Sequence, residues 1–291
     1  MSVPRYRILA LDVDGTLLDR HGALRTSTID AVARAARAGM RPVICTGRRY
    51  RRARPIAEQL GLDAPIVCNS GAIVKSPGDH DTLWRADFEP EVAAALLDLF
   101  HAHDQLIVAF NDRPPDQPDF RISRFSSGRP HYDDYVDRNR KHAEPATDWT
   151  AEPLFHMCAV GTREEMTAFE RVVLGACGGR VRTFVQRSPA YQGTMCEVVR
   201  HDAGKWAAVL HVAELWGVPP DAICAVGDDV NDASMIEGAG LGVAMGHAPA
   251  SVLALADHVT GDHDEDGVAM LIERLLAGDD RPGEPGHPNT S

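Results

Sequence analysis

Short runs of uniformly apolar residues alternate with helical segments at both ends of the chain, and this rhythm constrains the fold most. Near the N-terminus, strands are predicted by YRILALDV, RPVICTG and APIVCNSGAIV, and helices by STIDAVARAARAG and RRYRRARPIAEQLG. The first helix is predicted to begin with a capping box formed by Ser27 and Asp30. Strands that are apolar throughout are typical of a parallel sheet covered on both faces by helices.

The same rhythm returns near Lys205. Helices are predicted by KWAAVLHVAELWG, DASMIEGAG, APASVLALAD and DGVAMLIERLLAG, and strands by AICAVGDD and LGVAMG. The two blocks therefore indicate one βαβ fold that is interrupted in sequence. The segment between them contains a Pro-, Asp- and Arg-rich stretch, several strand candidates and the helix candidate REEMTAFERVVLGAC. We predict an α/β core over 1–85 and 200–278, an inserted α/β domain over 86–199 and a disordered tail over 279–291.

Composition disfavours several classes of function. The 291 residues contain 30 Lys and Arg against 42 Asp and Glu, a net charge of −12, which disfavours nonspecific binding to nucleic acid or to anionic membranes. The six cysteines are scattered and predict reduced, buried thiols, and no metal is assigned to the thirteen histidines. Because no apolar run approaches the length of a membrane span, we expect a soluble, cytoplasmic protein. Because of its negative charge, we expect it to bind neither nucleic acid nor membranes. The sequence leaves its oligomeric state open.

Three polar stretches follow predicted strands: Asp12–Thr16, Thr46–Arg48 and Gly227–Asp232. In an open parallel sheet, ligands gather at the carboxyl ends of the strands, so these loops are expected to converge. Convergence would bring together four carboxylates, namely Asp12, Asp14, Asp228 and Asp232. So many acids require a cation, and oxygen ligands favour Mg²⁺ before Ca²⁺.

A divalent ion beside a nucleophilic carboxylate suits phosphate chemistry, with hydroxyl and amide donors from the Thr46–Gly47 turn. Lys205, at the start of a predicted helix, would add a positive side chain that binds the phosphate together with the divalent ion. Arg48 lies nearest the site, whereas the other arginines of its run are expected on a solvated helix face. The basic segment 121–142 fits an anionic substrate and a mobile, solvated loop equally well, and no role is assigned to Asp229.

The order of these motifs resembles a known family. DVDGTLLD, CTGR, a lysine opening a helix and GDDVND are similar to motifs one to four of the haloacid dehalogenase superfamily. CNSGA, AGLGVAMGHA and DEDGVAMLIERLL further resemble its Cof-type (subfamily IIB) phosphatases. The resemblance implies a Rossmann-like, three-layer core with a parallel sheet and a C2-type α/β cap inserted between motifs two and three. The cap would determine the substrate.

The resemblance also implies a role for each matching residue. Asp12 would attack phosphorus to form an aspartyl-phosphate, and Asp14 would act as general acid and base, its main-chain carbonyl touching Mg²⁺. Asp12, Asp228 and Asp232 would complete the metal ligands, Asp232 directly or through water. The phosphoryl group would be bound by Thr46, Gly47, Lys205 and Asn231. Arg48 and Asn69 would lie close to the substrate.

The function expected from these residues is a Mg²⁺-dependent phosphatase that acts on a small phosphorylated metabolite, with a sugar phosphate as the first class. The main alternative is a phosphotransferase or phosphomutase on the same scaffold. A phospho-acceptor regulator also uses clustered Asp, Thr and Lys around Mg²⁺. Such a regulator would need neither Asp14 two residues after the nucleophile nor an inserted cap.

Overall fold

The structure is a computed structural model and describes residues 4–187 and 191–279. These residues form two compact units, which divide the chain between Trp84 and Arg85 and again between Ala203 and Gly204. The assignment of the core and cap domains stays a prediction. The tail predicted to be disordered lies outside the described residues, except for Asp279. Within the described part of the chain, no helix is long and apolar enough to cross a membrane.

Both units contain strands and helices. The strands are β1 (Ile8–Leu11), β2 (Arg41–Ile44), β3 (Ile66–Cys68), β4 (Ile73–Lys75), β5 (Thr82–Arg85), β6 (Val108–Phe110), β7 (Phe120–Ile122), β8 (Ala143–Pro145), β9 (His156–Gly161), β10 (Val181–Gln186), β11 (Thr194–Arg200), β12 (Ile223–Gly227), β13 (Leu241–Ala244) and β14 (His258–Val259). The helices are α1 (Thr26–Arg37), α2 (Tyr50–Gln59), α3 (Pro90–Ala102), α4 (Pro130–Asn139), α5 (Arg163–Cys177), α6 (Lys205–Leu215), α7 (Ala233–Gly238), α8 (Ala250–Leu253) and α9 (Gly267–Leu276).

The first unit is built on a parallel sheet with the strand order β14-β13-β12-β1-β2. β1 and β12 are buried along their whole length, which confirms the prediction made from their uninterrupted apolar runs. Their side chains pack with Val209 and Val212 of α6 and with Met235 of α7. Because β1, β2 and β12 are parallel neighbours, the residues that follow them lie at one edge of the sheet.

The second unit contains a six-stranded sheet with the order β10-β11-β9-β6-β7-β8, in which only the β7–β8 pair is parallel. The helix predicted by REEMTAFERVVLGAC is confirmed as α5. It begins with a capping box between Thr162 and Glu165, which satisfies backbone N–H groups at its first turn. Phe169 of α5 packs edge to face on Phe100 of α3 at a ring separation of 4.9 Å and joins the core of this unit.

Local structure differs from the sequence predictions in three places. APIVCNSGAIV is not one strand, because a turn over Asn69–Gly71 reverses the chain between the antiparallel strands β3 and β4. The segment 121–142 is not a continuous loop but includes α4, which buries Tyr132, Tyr135 and Val136 on one face. The capping box predicted for α1 is absent, since its N-cap is Arg25 and Ser27 Oγ donates to Asp266 at 2.5 Å instead.

All six cysteines are free and buried, as the sequence predicts. Cys45 and Cys68 lie in the core of the first unit near the ends of β2 and β3, and burial raises the pKa of both thiols above their usual range. A thiol held neutral in this way is a poor metal ligand and a poor nucleophile. The cysteines therefore serve as small core residues.

Candidate active site

A buried ion-pair triad lies at the carboxyl ends of β1 and β12. Lys205 Nζ donates to Asp12 Oδ1 at 2.6 Å and to Asp232 Oδ1 at 2.5 Å. The Lys205 side chain is 1% exposed, and those of Asp12 and Asp232 are 6% and 0% exposed. Charges that are this buried require close partners of opposite sign. Each of the three side chains therefore depends on the other two.

The position of Lys205 depends on a close backbone approach. Lys205 is the first residue of α6, and the turn over Asn69–Gly71 packs against its N-terminus. A Cβ atom at Gly71 would lie 2.1 Å from the carbonyl carbon of Gly204, and the φ of +85° at Gly71 also favours glycine. Any larger residue at position 71 would therefore displace the start of α6 and the lysine with it.

Asp232 also organises the loop that carries Asp228. Its Oδ2 accepts the main-chain N–H groups of Asp228 and Asp229, both at 3.1 Å, while its Oδ1 is bound to Lys205. A Cβ atom at Gly227 would lie 2.4 Å from Asp232 Cγ, so glycine allows this carboxylate to fold under the loop. Asp229 accepts the N–H of Val230 at 2.7 Å and stabilises the same turn.

Asp228 lies close to the triad. One carboxylate oxygen from each of Asp12, Asp228 and Asp232 lies within 4.8 Å of the other two. Asp228 Oδ1 accepts a hydrogen bond from Thr16 Oγ1 at 3.3 Å. A Cβ atom at Gly15 would lie 2.3 Å from Asp228 Oδ2, so the glycine of DVDGT makes room for the carboxylate.

Burial governs the charge state of this cluster. Burial raises the pKa of Asp12 well above its usual value, and repulsion from Asp232 and Asp228 raises it further, against the effect of Lys205. Burial likewise raises the pKa of Asp232. For Lys205, burial lowers the pKa, but the attraction of the two carboxylates outweighs burial and raises it, so the ammonium stays charged. One ammonium thus faces three carboxylates, and a hard divalent cation fits this oxygen-only donor set.

The Thr46 turn and the Asn69 turn are linked by main-chain hydrogen bonds. Ser70 N–H donates to Thr46 O at 3.1 Å, and Asn69 N–H donates to Arg48 O at 3.0 Å. Thr46 Oγ1 accepts the N–H of Arg48 at 3.1 Å. Thr46 and Asn69 are both buried, as is Asn231 in the loop after β12. Gly47 is partly buried.

The Asp14 carboxylate binds Arg48 rather than the acidic cluster. Arg48 Nε donates to Asp14 Oδ2 at 2.7 Å and Nη2 donates to Oδ1 at 2.6 Å, a bidentate pair that is partly exposed. The structure therefore brings together three of the four carboxylates expected at the cation, namely Asp12, Asp228 and Asp232. The sequence had indicated that Arg48 is near the site, but not that its partner is Asp14.

A model of the haloacid dehalogenase-like hydrolases matches residues 9–272, which is most of the chain. The chain belongs to this family. Among its curated relatives, the hydrolase is 30% identical to pyridoxal phosphate phosphatase YbhA of Escherichia coli (strain K12), over 91% of this chain and 97% of the relative. It is 28% identical to 5-amino-6-(5-phospho-D-ribitylamino)uracil phosphatase YitU of Bacillus subtilis (strain 168), over 93% and 97% of the two chains.

Solved structures agree with the family. A haloacid dehalogenase-like hydrolase from Bacteroides thetaiotaomicron superposes on the hydrolase with a TM-score of 0.75 and 25% identity, over 93% of this chain and 99% of the other. The predictions of the superfamily, of the Cof-type subfamily, of the α/β fold class and of an enzyme that hydrolyses phosphate monoesters are confirmed by these matches.

Sequence reasoning missed one side chain next to the cluster of this hydrolase. His247 Nε2 lies 3.5 Å from Asp228 Oδ2, in the loop that follows β13. β13 pairs directly with β12, so the residues after both strands lie at the same edge of the sheet. The available signal was the polar residue just after the apolar run LGVAMG, by the same argument that identified Asp228 after β12.

Proposed function

We propose that this hydrolase is a Mg²⁺-dependent phosphatase that transfers the phosphoryl group of a small metabolite to Asp12 and then to water. The observation that carries the proposal is the buried Asp12 carboxylate at the end of β1, held by Lys205 at 2.6 Å beside Asp228 and Asp232. A carboxylate can act as a nucleophile toward phosphorus when its charge is oriented and partly compensated.

Lys205 would orient Asp12 and bind the phosphoryl oxygens. Its ammonium stays charged and contacts both buried carboxylates, so it can offset negative charge that arrives with the substrate. Thr46 Oγ1, the main-chain N–H of Gly47 and the Asn231 side chain are the donors that we assign to the same phosphoryl group. Asp232 would fix the position of the Lys205 ammonium and of the loop that carries Asp228.

Asp14 would protonate the leaving oxygen and then take a proton from the attacking water. The bidentate pair with Arg48 fixes the orientation of its carboxylate, and partial exposure leaves it accessible to substrate and water. A general acid and base of this kind contributes about 10²–10⁴-fold to the rate. Arg48 is then a positioning residue that acts through Asp14.

Asp12, Asp228, Asp232 and the main-chain carbonyl of Asp14 are the groups that would hold Mg²⁺. The ion, when bound, would offset the charge of the carboxylates and of the phosphoryl group. The raised pKa values of Asp12 and Asp232 support this assignment, because burial and the neighbouring carboxylates disfavour their ionised forms and a cation would favour them.

A sugar phosphate is the first substrate class that we propose, and the curated relatives carry the names of phosphatases of other small phosphorylated metabolites. We further propose that the second unit, Arg85–Ala203, selects the substrate. The test is kcat/KM for phosphate release from p-nitrophenyl phosphate, pyridoxal phosphate and a panel of sugar phosphates, with and without a free sugar acceptor. Absence of phosphate release from every compound contradicts the proposal, and phosphate transfer to the acceptor identifies a phosphotransferase.

Removal of divalent metal is expected to lower turnover by at least about 100-fold, since the metal contributes several kcal/mol to charge stabilisation. Added Mg²⁺ should restore it. Because a ligand of the folded state stabilises that state, Mg²⁺ should also raise the Tm of the wild-type protein, by less in Asp228→Asn. An equal ionic strength of NaCl is the control. Turnover that persists after chelation, or a Tm that does not change when Mg²⁺ is added, contradicts the proposed metal ligands.

Arg48→Met is expected to lower kcat by about 10–100-fold, a part of the general acid–base contribution, because Asp14 loses both of its oriented donors. Arg48→Lys should recover only part of kcat, since an ammonium does not form the bidentate pair. The matched control is Arg52→Met, which changes an exposed arginine of the same run. An unchanged kcat in Arg48→Met, or a change confined to KM, would show that Arg48 does not act through Asp14.

A further inference from the structure

A second group of potential metal ligands lies in the loops that follow β13 and β14. His247, Asp262 and His263 converge there, and none of them belongs to the proposed Mg²⁺ ligands. We propose that these three side chains form a binding site for a tetrahedral transition-metal ion such as Zn²⁺. The proposal goes beyond the phosphatase function and does not depend on it.

The ligand atoms have the spacing of a metal site. His263 Nδ1 lies 2.8 Å from Asp262 Oδ1, His247 Nδ1 lies 3.3 Å from the same oxygen, and the two Nδ1 atoms are 3.2 Å apart. Zn²⁺ bonds of about 2.0–2.1 Å in tetrahedral geometry separate neighbouring ligand atoms by about 3.3 Å. The three atoms therefore approximate one face of a coordination tetrahedron before any ion is added.

The far side of each imidazole faces a carboxylate. His247 Nε2 lies 3.5 Å from Asp228 Oδ2, and His263 Nε2 lies 3.6 Å from Asp264 Oδ2. Metal-bound histidines usually donate their other ring N–H to a carboxylate, which fixes the tautomer that leaves the first nitrogen free to bind the ion. Both histidines therefore direct Nδ1 at the common point and Nε2 at an acid.

Further contacts hold this arrangement in place. Asp264 is bound by Arg20, through Nε at 2.6 Å and the main-chain N–H at 3.0 Å. Asp262 Oδ1 also accepts the N–H of Asp264 at 3.2 Å, which closes the turn around His263. Thr260 Oγ1 donates to Gly267 O at 2.7 Å and pins the loop at its other end. The loop is thus preorganised by bonds that do not involve the Nδ1 atoms of His247 and His263.

Ligand chemistry separates this site from the oxygen-only cluster. Imidazole nitrogen favours Zn²⁺, Co²⁺ and Ni²⁺, whereas carboxylate oxygens favour Mg²⁺. The His247 side chain is 27% exposed, which leaves room for water as the fourth ligand. Asp228 contacts the outer nitrogen of His247 and faces the acidic cluster, so the two sites are neighbours that share one carboxylate.

Equilibrium dialysis of the chelator-treated full chain with Zn²⁺, in saturating Mg²⁺ to fill the oxygen cluster, tests the proposal. We expect one Zn²⁺ per wild-type chain and at least about 100-fold weaker binding in His263→Asn and in His247→Asn. Asp264→Asn should weaken binding by about 10–100-fold, as loss of the carboxylate that faces the other ring nitrogen of a metal-bound histidine does. The matched control is His21→Asn, which changes an exposed histidine outside the site and should bind Zn²⁺ like the wild type.

Co²⁺ bound to the wild-type protein should give the intense visible absorption of a tetrahedral ion, without the sulfur-to-metal band of a cysteine site. This measurement needs no variant and decides the question even where a variant fails to fold. Binding of no Zn²⁺, unchanged affinity in His263→Asn, or a cobalt–sulfur band would overturn the proposal. Because the readout is bound metal rather than turnover, these outcomes leave the phosphatase proposal unaffected.

Discussion

Asp12→Asn is expected to reduce phosphate release from p-nitrophenyl phosphate by at least about 10⁴-fold, because an amide cannot form the aspartyl-phosphate. The substitution keeps the size of the side chain and one acceptor oxygen for Lys205. The measurement is kcat/KM in saturating Mg²⁺. The matched control is Asp30→Asn, which changes an exposed aspartate on α1. If the activity of Asp12→Asn stays within about tenfold of the wild type, Asp12 is not the nucleophile.

The same variant should keep or gain thermal stability, which separates loss of chemistry from loss of fold. The pKa of Asp12 in the folded protein is raised above the value of 3.8 for a free carboxyl. An acid whose pKa is higher in the folded than in the unfolded state lowers the stability of the folded state as the pH rises above the unfolded-state value. Asn cannot ionise and removes this loss of stability. In metal-free buffer, the Tm difference in favour of Asp12→Asn should therefore grow as the pH rises above 3.8. A lower Tm than the wild type at neutral pH contradicts this electrostatic argument.

Lys205→Met is expected to lower the free energy of unfolding of the first unit by about 3–5 kcal/mol, as measured by urea unfolding without divalent metal. Methionine retains an apolar chain of similar length, but it leaves two buried carboxylates without the ammonium that contacts them at 2.6 and 2.5 Å. Phosphate release by Lys205→Met should fall as well. The control is Lys141→Met, at an exposed lysine, for which we expect a change within about 0.5 kcal/mol.

A double variant shows whether the loss comes from the charges. Asp12→Asn combined with Lys205→Met should recover part of the lost stability, because only Asp232 then remains as a buried carboxylate beside the methionine. Mg²⁺ should also stabilise Lys205→Met more than it stabilises the wild type. A loss below about 1 kcal/mol in the single variant, or no recovery in the double variant, is incompatible with the triad as described.

The parts predicted well from sequence are those governed by local pattern. Uniform apolar runs predict β1 and β12, and the structure confirms both as buried parallel strands. Likewise, REEMTAFERVVLGAC predicts a helix, and the structure confirms it as α5. Local pattern failed at Asn69–Gly71, where apolar residues continue on both sides of a turn. It failed also at α4, where Pro, Asp and Arg obscure a face formed by Tyr132, Tyr135 and Val136.

The sequence by itself determined which chemistry this hydrolase carries, because the residues that follow each strand are read directly from the chain and parallel strands bring them to one edge. Only the tertiary structure decided how those residues pair. Asp14 lies with Arg48 rather than in the acidic cluster, and Asp232 binds Lys205 and the Asp228 loop. His247 and His263, sixteen residues apart, meet around Asp262. These pairings depend on side-chain direction and on distances of 2.5–3.5 Å between loops, which no spacing along the chain encodes.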